Sequence, residues 1–534
     1  MSPSIGVASP FSDTDKEQLQ ARGIPEARAL EQLEIFRRGH RPVILEKPAT
    51  TEDGIHILAA DEKQKLRFLY EQAASEGRCM EFVPASGAAS RMFQSLLVIL
   101  QRKDKPSYAL LVEEAKTNKH AGEFLIWFKG LEDFPFYNEL RNESQKNGLS
   151  FEKCVTEKNY RPILETLFSN EGLDYASLPK ALIPFHTSKG VAHTPLHEHL
   201  LDASELVKDK NGIVRVHFTV SAEHESRIHL LIERVRSKFL DQGCHLEITL
   251  SQQPKATDTL SVGSDQAPVR DNDNTLHFRP GGHGALLENL NHLQGDIVFI
   301  KNIDNVVPQR LRALVTENRK WLGGYLLHLQ QRIFEYSVWL DSNPEVDSQS
   351  PRLKDILTFI ETSLGIRWPK NPKSAVANSP VSQAQIRIMK EILHRPLRVC
   401  GMVKNQSEPG GGPFWVQYAD GSVRLQIVES AQIDKSSKHQ SALANAATHF
   451  NPVDIVCGLR DRNGKPFSLQ QFVDRETYFI TTKSNDGIEV KVLELPGLWN
   501  GSMAFWNTAF VEIPVEVFNP VKTVNDLLRP SHRG

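Results

Sequence analysis

Apolar positions take on a period early in the chain. In DTDKEQLQARGIPEARALEQLEIFRRG (13–39), Leu19, Ile24, Leu30, Leu33 and Phe36 fall at helix-compatible spacing, with Gly23 and Pro25 breaking the run and Gly39 placed to cap it. A second helix follows in DEKQKLRFLYEQAASEG (61–77), ending at Gly77. The pattern then changes: CMEFVPASGAASRMFQSLLVIL (79–100) reads as strand, small-residue loop and helix. The alternation recurs with IVRVHFTVS (213–221) as a strand, ESRIHLLIERVRSKFL (225–240) as a helix, HLEITLSQQ (245–253) as a strand, and DIVFIKNIDN (296–305) as a buried strand ending in polar residues. Strands separated by helices predict a largely parallel sheet with ligands at the carboxyl ends of its strands. Between Pro308 and about Arg395 the pattern turns helical, with Pro/Ser/Asn-rich breaks at 343–351 and 368–380, and is read as a helical insertion. From LRVCGMV (397–403) onward β signals return. The expected organisation is an N-terminal helical segment (1–78), the first part of an α/β core (79–307), the insertion (308–395) and a C-terminal part completing the site (396–534).

Composition narrows the class. A chain of 534 residues exceeds one ordinary domain, and 40% hydrophobic with 24% charged residues is a globular balance. No window approaches the roughly 18 to 20 apolar residues a membrane helix needs. The start, MSPSIGVASPFSDTDKEQL, lacks a basic region followed by an apolar stretch, so a cytoplasmic protein is expected. Five widely spaced cysteines without a CxxC pair argue against a disulfide framework or a structural zinc site. With 63 basic against 65 acidic residues, no global field recruits nucleic acid, so any phosphate must be bound by a built site.

One such site is suggested by PASGAASRMF (84–93). Between a strand and a helix, its small residues Ser86, Gly87 and Ser90 let backbone approach a polyphosphate, the helix N-terminus attracts the anion, and Arg91 supplies a cation. Farther on, LPKALIPFHTSKGVAHTPLHEHLL (178–201) sets Lys180 before an apolar stretch and opens a helix near Thr194-Pro195. In order and spacing these two segments resemble the signature of sugar nucleotidyltransferases, AGGxG(S/T)R, then PKxLxP, then a Pro-Leu pair. Ala85, Gly87, Ser90 and Arg91 fit, whereas Ser86 and Ala89 stand where that family has glycine.

Later segments resemble the eukaryote-type UDP-glucose and UDP-N-acetylhexosamine pyrophosphorylases. HFRPGGHGALLENLNHL (277–293) is similar to their PxGHG or PGGNG loop, which implies that Gly282, His283 and Gly284 pass against the nucleobase, where a side chain would fill the base slot. The end of DIVFIKNIDN resembles their VDN step and implies that Asp304 sits beside Mg²⁺. FNPVKTVNDLL (518–528) resembles PVKxxxDLL, whose lysine reaches the reacting phosphates, which implies a catalytic Lys522. LQIVESAQI (425–433) implies Glu429 on sugar hydroxyls, and WNGSMAFWNT (499–508) adds Asn500 and Asn507 near the sugar. Ser251-Gln252-Gln253 resembles the FxQ strand end that hydrogen-bonds uracil, which gives Gln252 and Gln253. GIPEARALEQLEIFRRG and PASGAASRMF together resemble an uncharacterised bacterial family related to these enzymes. The β-helical domain that often follows PVKxxxDLL is expected to be absent, since the sequence ends soon after that segment.

The resemblance implies a Rossmann-like, glycosyltransferase-A-like α/β fold with a mostly parallel mixed sheet flanked by helices. It further implies Mg²⁺ as cofactor, and a nucleoside triphosphate, UTP by the loop and glutamines, with a sugar 1-phosphate as partners. Neither nucleic acid nor membrane is expected, and the sugar and the oligomeric state stay open. Two alternatives stand beside it. One is a nucleotide or nucleotide-sugar binding protein without turnover. The other is a metal-dependent hydrolase built on His193, His197, Glu198 and His199 with His217 and His224 downstream, in which His193 and His197 share a helix face although the HExxH order is absent.

Overall fold

In the computed structural model, residues 9–368, 381–406, 410–485 and 488–533 are described. Residues 1–8 of the N-terminal stretch and most of the break at 368–380, from 369 onward, lie outside them. The architecture is α/β, a mixed, mostly parallel sheet flanked by helices. At its centre Cys79–Pro84 runs parallel to both neighbours, Ile213–Thr219 on one side and Ile297–Lys301 on the other. His245–Ser251 extends the first side in parallel. On the second side Asp454–Gly458 runs antiparallel between Ile297–Lys301 and Leu397–Lys404, followed by Asn507–Glu512 and Ile55–His56 in parallel.

The apolar runs IVFIK and DIVCG are buried at every position, as expected of strands with both faces covered. One cover is the helix Gln309–Ser342, whose Val315, Leu322, Leu326, Leu329 and Ile333 share a core with Phe299, Val399 and Val456 of the sheet. The helices Pro351–Ser363 and Gln383–Leu393 contribute Ile356, Phe359 and Met389 to that same core. The described helices between 308 and 395 therefore form a layer of the main body, sharing its core, where the sequence suggested an inserted subdomain.

The helical insertion lies elsewhere. Six helices from Gln94–Gln101 to Tyr160–Phe168, between the small-residue loop and Lys180, pack around an aromatic core of Phe93, Phe124, Trp127, Phe136 and Tyr160 that Val306, Val521 and Leu527 also join. The N-terminal segment also differs from the expected helical preface. Its helices Asp13–Arg22 and Glu26–Arg38 rest Leu19, Leu33 and Phe36 on Leu260, Tyr478 and Leu493, and its strands Ile44–Pro48 and Ile55–His56 pair with Gly412–Gln417 and Asn507–Glu512 of the C-terminal third. No described helix is long and apolar enough to cross a membrane. All five cysteines are free and buried.

A charged seam runs beneath the sheet. Arg319 of the long helix is 1% exposed and pairs with Glu81, 0% exposed, and with Asp454 at 3.2 Å. Arg312 donates to Glu198 at 2.6 Å and to Asp202 at 3.1 Å, and Lys301 stands 3.6 Å from Asp202.

Candidate functional site

At the carboxyl ends of Cys79–Pro84 and Ile297–Lys301, four segments distant in sequence are tied together by backbone bonds. The small-residue loop leaves the sheet at Ala85, whose N–H donates to the Thr219 carbonyl at 2.9 Å. The Ala89 N–H donates to Leu178 O, and the Lys180 N–H donates to Gly87 O, both at 3.0 Å, so the loop and the lysine segment form one unit. Lys180 Nζ then donates to Asp304 Oδ2 and to the Val521 carbonyl, each at 2.7 Å. The Val521 N–H returns to Asp304 O at 3.0 Å, and the Val524 N–H reaches Met92 O at 3.0 Å. Ser86, Gly87, Ser90 and Arg91 are exposed on this rim, while Lys180, Asp304 and Lys522 are half-buried around it.

The positions that hold this arrangement were not singled out from the sequence. Asp526 accepts from the N–H groups of Lys522 at 2.8 Å and Thr523 at 2.7 Å, fixing the backbone that carries Lys522. Asn305 Oδ1 accepts from the Asn519 N–H at 2.9 Å. The Asn-Pro pair at 519–520 and the aspartate four residues after the lysine were the available signals, since Asx side chains bind nearby backbone.

A second group lies around the glycine loop. The Leu498 N–H donates to His283 Nδ1 at 3.1 Å, so in the neutral ring Nε2 carries the proton and faces Glu429 Oε1 at 3.6 Å. Burial lowers the His283 pKa, favouring that neutral ring. The Trp499 ring lies 4.3 Å from it, centroid to centroid. Asn500 is 1% exposed, its Nδ2 donates to Gln432 Oε1 at 2.9 Å, and Gln432 Oε1 also accepts from the Glu429 N–H. Asn500 Oδ1 has no hydrogen-bond partner among the described residues.

Three expected residues are placed differently. Asn507 is fully buried at the start of the strand Asn507–Glu512 and donates to Ile392 O at 2.9 Å, so it braces the sheet and is not brought to the group around Glu429. Gln252 Nε2 donates to Glu225 at 2.7 Å, and Gln253 Nε2 donates to Thr257 at 3.3 Å, so both amides are engaged by neighbours at the end of His245–Ser251. Behind them His217 bridges Thr249 and Ser251, each at 2.7 Å.

The glycines of HFRPGGHGALL have a different reason from the one expected. A Cβ on Gly284 would stand 2.1 Å from the Pro496 carbonyl oxygen, and one on Gly281 would stand 2.5 Å from Thr257 O. Backbone of this chain, not an open slot, fills that space. At Gly87 a Cβ would meet nothing within 4 Å, so the fold itself does not demand glycine there. Gly284→Ala is expected to destabilise by about 1–3 kcal/mol through overpacking, whereas Gly87→Ala leaves the urea midpoint unchanged. Urea melts on both variants check this pair. An unchanged midpoint for Gly284→Ala would refute the packing account.

The histidine-rich helix does not form a zinc site. Among the described residues no group of three or more His, Cys, Asp or Glu is placed to hold a metal ion. Thr194 caps Pro195–Leu206, and Glu198 lies between His186 at 3.2 Å and His193 at 3.3 Å, with Arg312 on its other oxygen. Burial lowers His197 to about 4, and His199 faces the other way onto Asn302 O at 3.2 Å. Mg²⁺ poses a lighter demand, because it keeps waters and takes substrate phosphates with one or two carboxylates. Asp304 fits that role: its side chain is 24% exposed beside the loop, and only Oδ2 is engaged by Lys180.

Comparison with curated proteins returns no match. Among solved structures, the chain is similar to the uridine diphosphate N-acetylglucosamine pyrophosphorylase of Trypanosoma brucei, at 11% identity and a TM-score of 0.45, covering 97% of this chain and 79% of that one. It is similar to the UDP-glucose pyrophosphorylase of Leishmania major, at 13% identity and a TM-score of 0.43, covering 97% and 79%. A UDP-glucose phosphorylase of Trypanosoma brucei is similar at 15% identity and a TM-score of 0.44, covering 96% and 77%. A family model matches residues 12–533, nearly the whole chain, and on that match the protein belongs to the family described as Domain of unknown function (DUF4301).

Proposed function

We propose that the protein is a nucleotidyltransferase that joins a nucleoside triphosphate, UTP by the resemblance of its loops, to a sugar 1-phosphate and releases pyrophosphate. The observation that carries this reading is the convergence of the Gly87 loop, Lys180, Asp304 and the Lys522 segment through mutual backbone and side-chain bonds. Small-residue backbone, cations and one carboxylate suit a reaction between two phosphates better than acyl transfer, which needs a nucleophile and base. An oxygen of the sugar phosphate attacks the α-phosphorus, a new P–O bond forms, the α–β bridging P–O bond breaks, and the electron pair leaves on pyrophosphate. The attacking oxygen is already anionic near neutral pH, so no general base is required.

In this reading Arg91 and Lys180 hold the triphosphate, and Lys522 neutralises charge where the two phosphates meet. Lys180 exchanges its bond to Asp304 for one to phosphate as the nucleotide arrives. Asp304 would hold Mg²⁺, which when bound would neutralise further phosphate charge. Glu429 and Asn500 Oδ1 offer acceptors, and the Nε2–H of His283 a donor, to sugar hydroxyls. Ser86, Gly87 and Ser90 line the phosphate path.

The test is a pyrophosphate-release screen of each nucleoside triphosphate against a panel of sugar 1-phosphates, with and without Mg²⁺. Turnover with UTP and at least one sugar phosphate, abolished by chelation, is expected. Saturable UTP binding with no turnover for any pair would overturn catalysis in favour of a binding protein.

A further inference from the structure

A cavity of about 390 Å³ lies between the N-terminal helix Glu26–Arg38 and the far side of the glycine loop. None of the residues assigned above to phosphate or sugar opens into it except through the loop backbone. Its walls are apolar at Leu287, Val473 and Leu495, and Arg28 and Arg475 face it. Arg28 is half-buried and donates to Ala256 O at 3.0 Å. Burial, and then the nearby Arg475 guanidinium, lower its pKa, so each cation raises the cost of the other. Glu31, exposed on the rim, and Glu288, which accepts from Gln470 at 2.7 Å and lies 3.4 Å from His292, also act on Arg28 and raise its pKa, but by less than burial and Arg475 lower it. Gln32 of the same wall is 3% exposed, and its Nε2 has no acceptor among the described residues while its Oε1 takes the Leu260 N–H. A half-enclosed apolar space with surplus donors is the composition of a small-molecule site.

We propose that this cavity is a second ligand site, for an organic anion whose acidic group lies between Arg28 and Arg475 and whose apolar body rests on Leu287, Val473 and Leu495. Gly284 of the loop that presents His283 lines this wall, as does Leu495, whose N–H donates to the Gly281 carbonyl of that loop at 2.9 Å, so an occupant bears directly on the loop. The site stands independently of the activity proposed above.

Calorimetric titration of the intact protein with 3-phenylpropionate tests it, with 3-phenylpropylamine and inorganic phosphate as probes of each half of the ligand. Saturable binding of the carboxylate, with the amine and phosphate at least about tenfold weaker, is expected. Arg28→Gln and Arg475→Gln should each weaken it about tenfold, as loss of a charge-assisted hydrogen bond does, and Val473→Trp should abolish it by filling the space. Arg475 is exposed, so its replacement tests the site even where Arg28→Gln perturbs the helix. Equal binding of the amine, binding indifferent to both arginine variants, or no saturable binding would overturn the proposal.

Discussion

Lys522→Ala is expected to lower kcat/KM for pyrophosphate release by about a hundredfold or more, the usual cost of removing one preorganised charge at a developing anion. The backbone at this position is held by Asp526, which accepts from the N–H groups of both Lys522 and Thr523, so truncating the side chain leaves the segment in place. A stability change should therefore be small, and the UTP dissociation constant should move less than the rate. Steady-state kinetics with a parallel urea melt separates the two effects. A variant that retains full activity would remove Lys522 from the reaction and with it the assignment of FNPVKTVNDLL as catalytic. Lys522→Arg, which keeps the charge, should recover part of the loss if charge is what the position supplies.

Arg319→Met is expected to cost about 3–5 kcal/mol of stability, because it leaves Glu81 and Asp454 in the interior without the guanidinium they share. Burial already pushes the Glu81 carboxyl up against the pull of the guanidinium. Arg319 Nη2, Glu81 Oε2 and Asp454 Oδ2 have no hydrogen-bond partner among the described residues, so the triad is not fully satisfied even when intact. Replacing all three by apolar residues of similar volume should therefore recover most of the single-variant loss. Urea midpoints of the single and triple variants decide it. An unchanged midpoint for Arg319→Met would show that the seam carries no stability.

Much of the sheet was legible because its strands are apolar runs bounded by helical periods. The helix predicted at 225–240 is observed as Glu225–Leu240, and the strand read in IVRVHFTVS occupies Ile213–Thr219. The break at Gly23–Pro25 separates two helices as its residue types require. Strand direction was not legible: Asp454–Gly458 is as uniformly buried as Ile297–Lys301, and nothing local marks its reversal. The run 308–395 looked like an insertion because helical period alone does not say what a helix covers, whereas the aromatic-rich run around Phe124, Trp127 and Phe136 supplied an aromatic core and was not recognised. The charged seam could have been suspected from Glu81, Lys301 and Asp454 standing inside otherwise apolar strands. Their partners lie too far along the chain for any local pattern to name: Glu81 meets Arg319 across 238 positions. Within the candidate site, residue types at turns and strand ends were readable. Which neighbours occupy Gln252, Gln253 and Asn507 depends on packing that no motif encodes.

The knot of bonds around Lys180 also has a kinetic meaning. Lys180 joins Asp304 across 124 positions and Val521 across 341, and Asn525 reaches Glu123 across 402. Each such closure carries chain entropy that local contacts do not, so these links form only after the sheet and both helical layers have drawn their segments close. The rim around Lys180 is therefore expected to close late when the chain refolds, after the local helices and hairpins have formed.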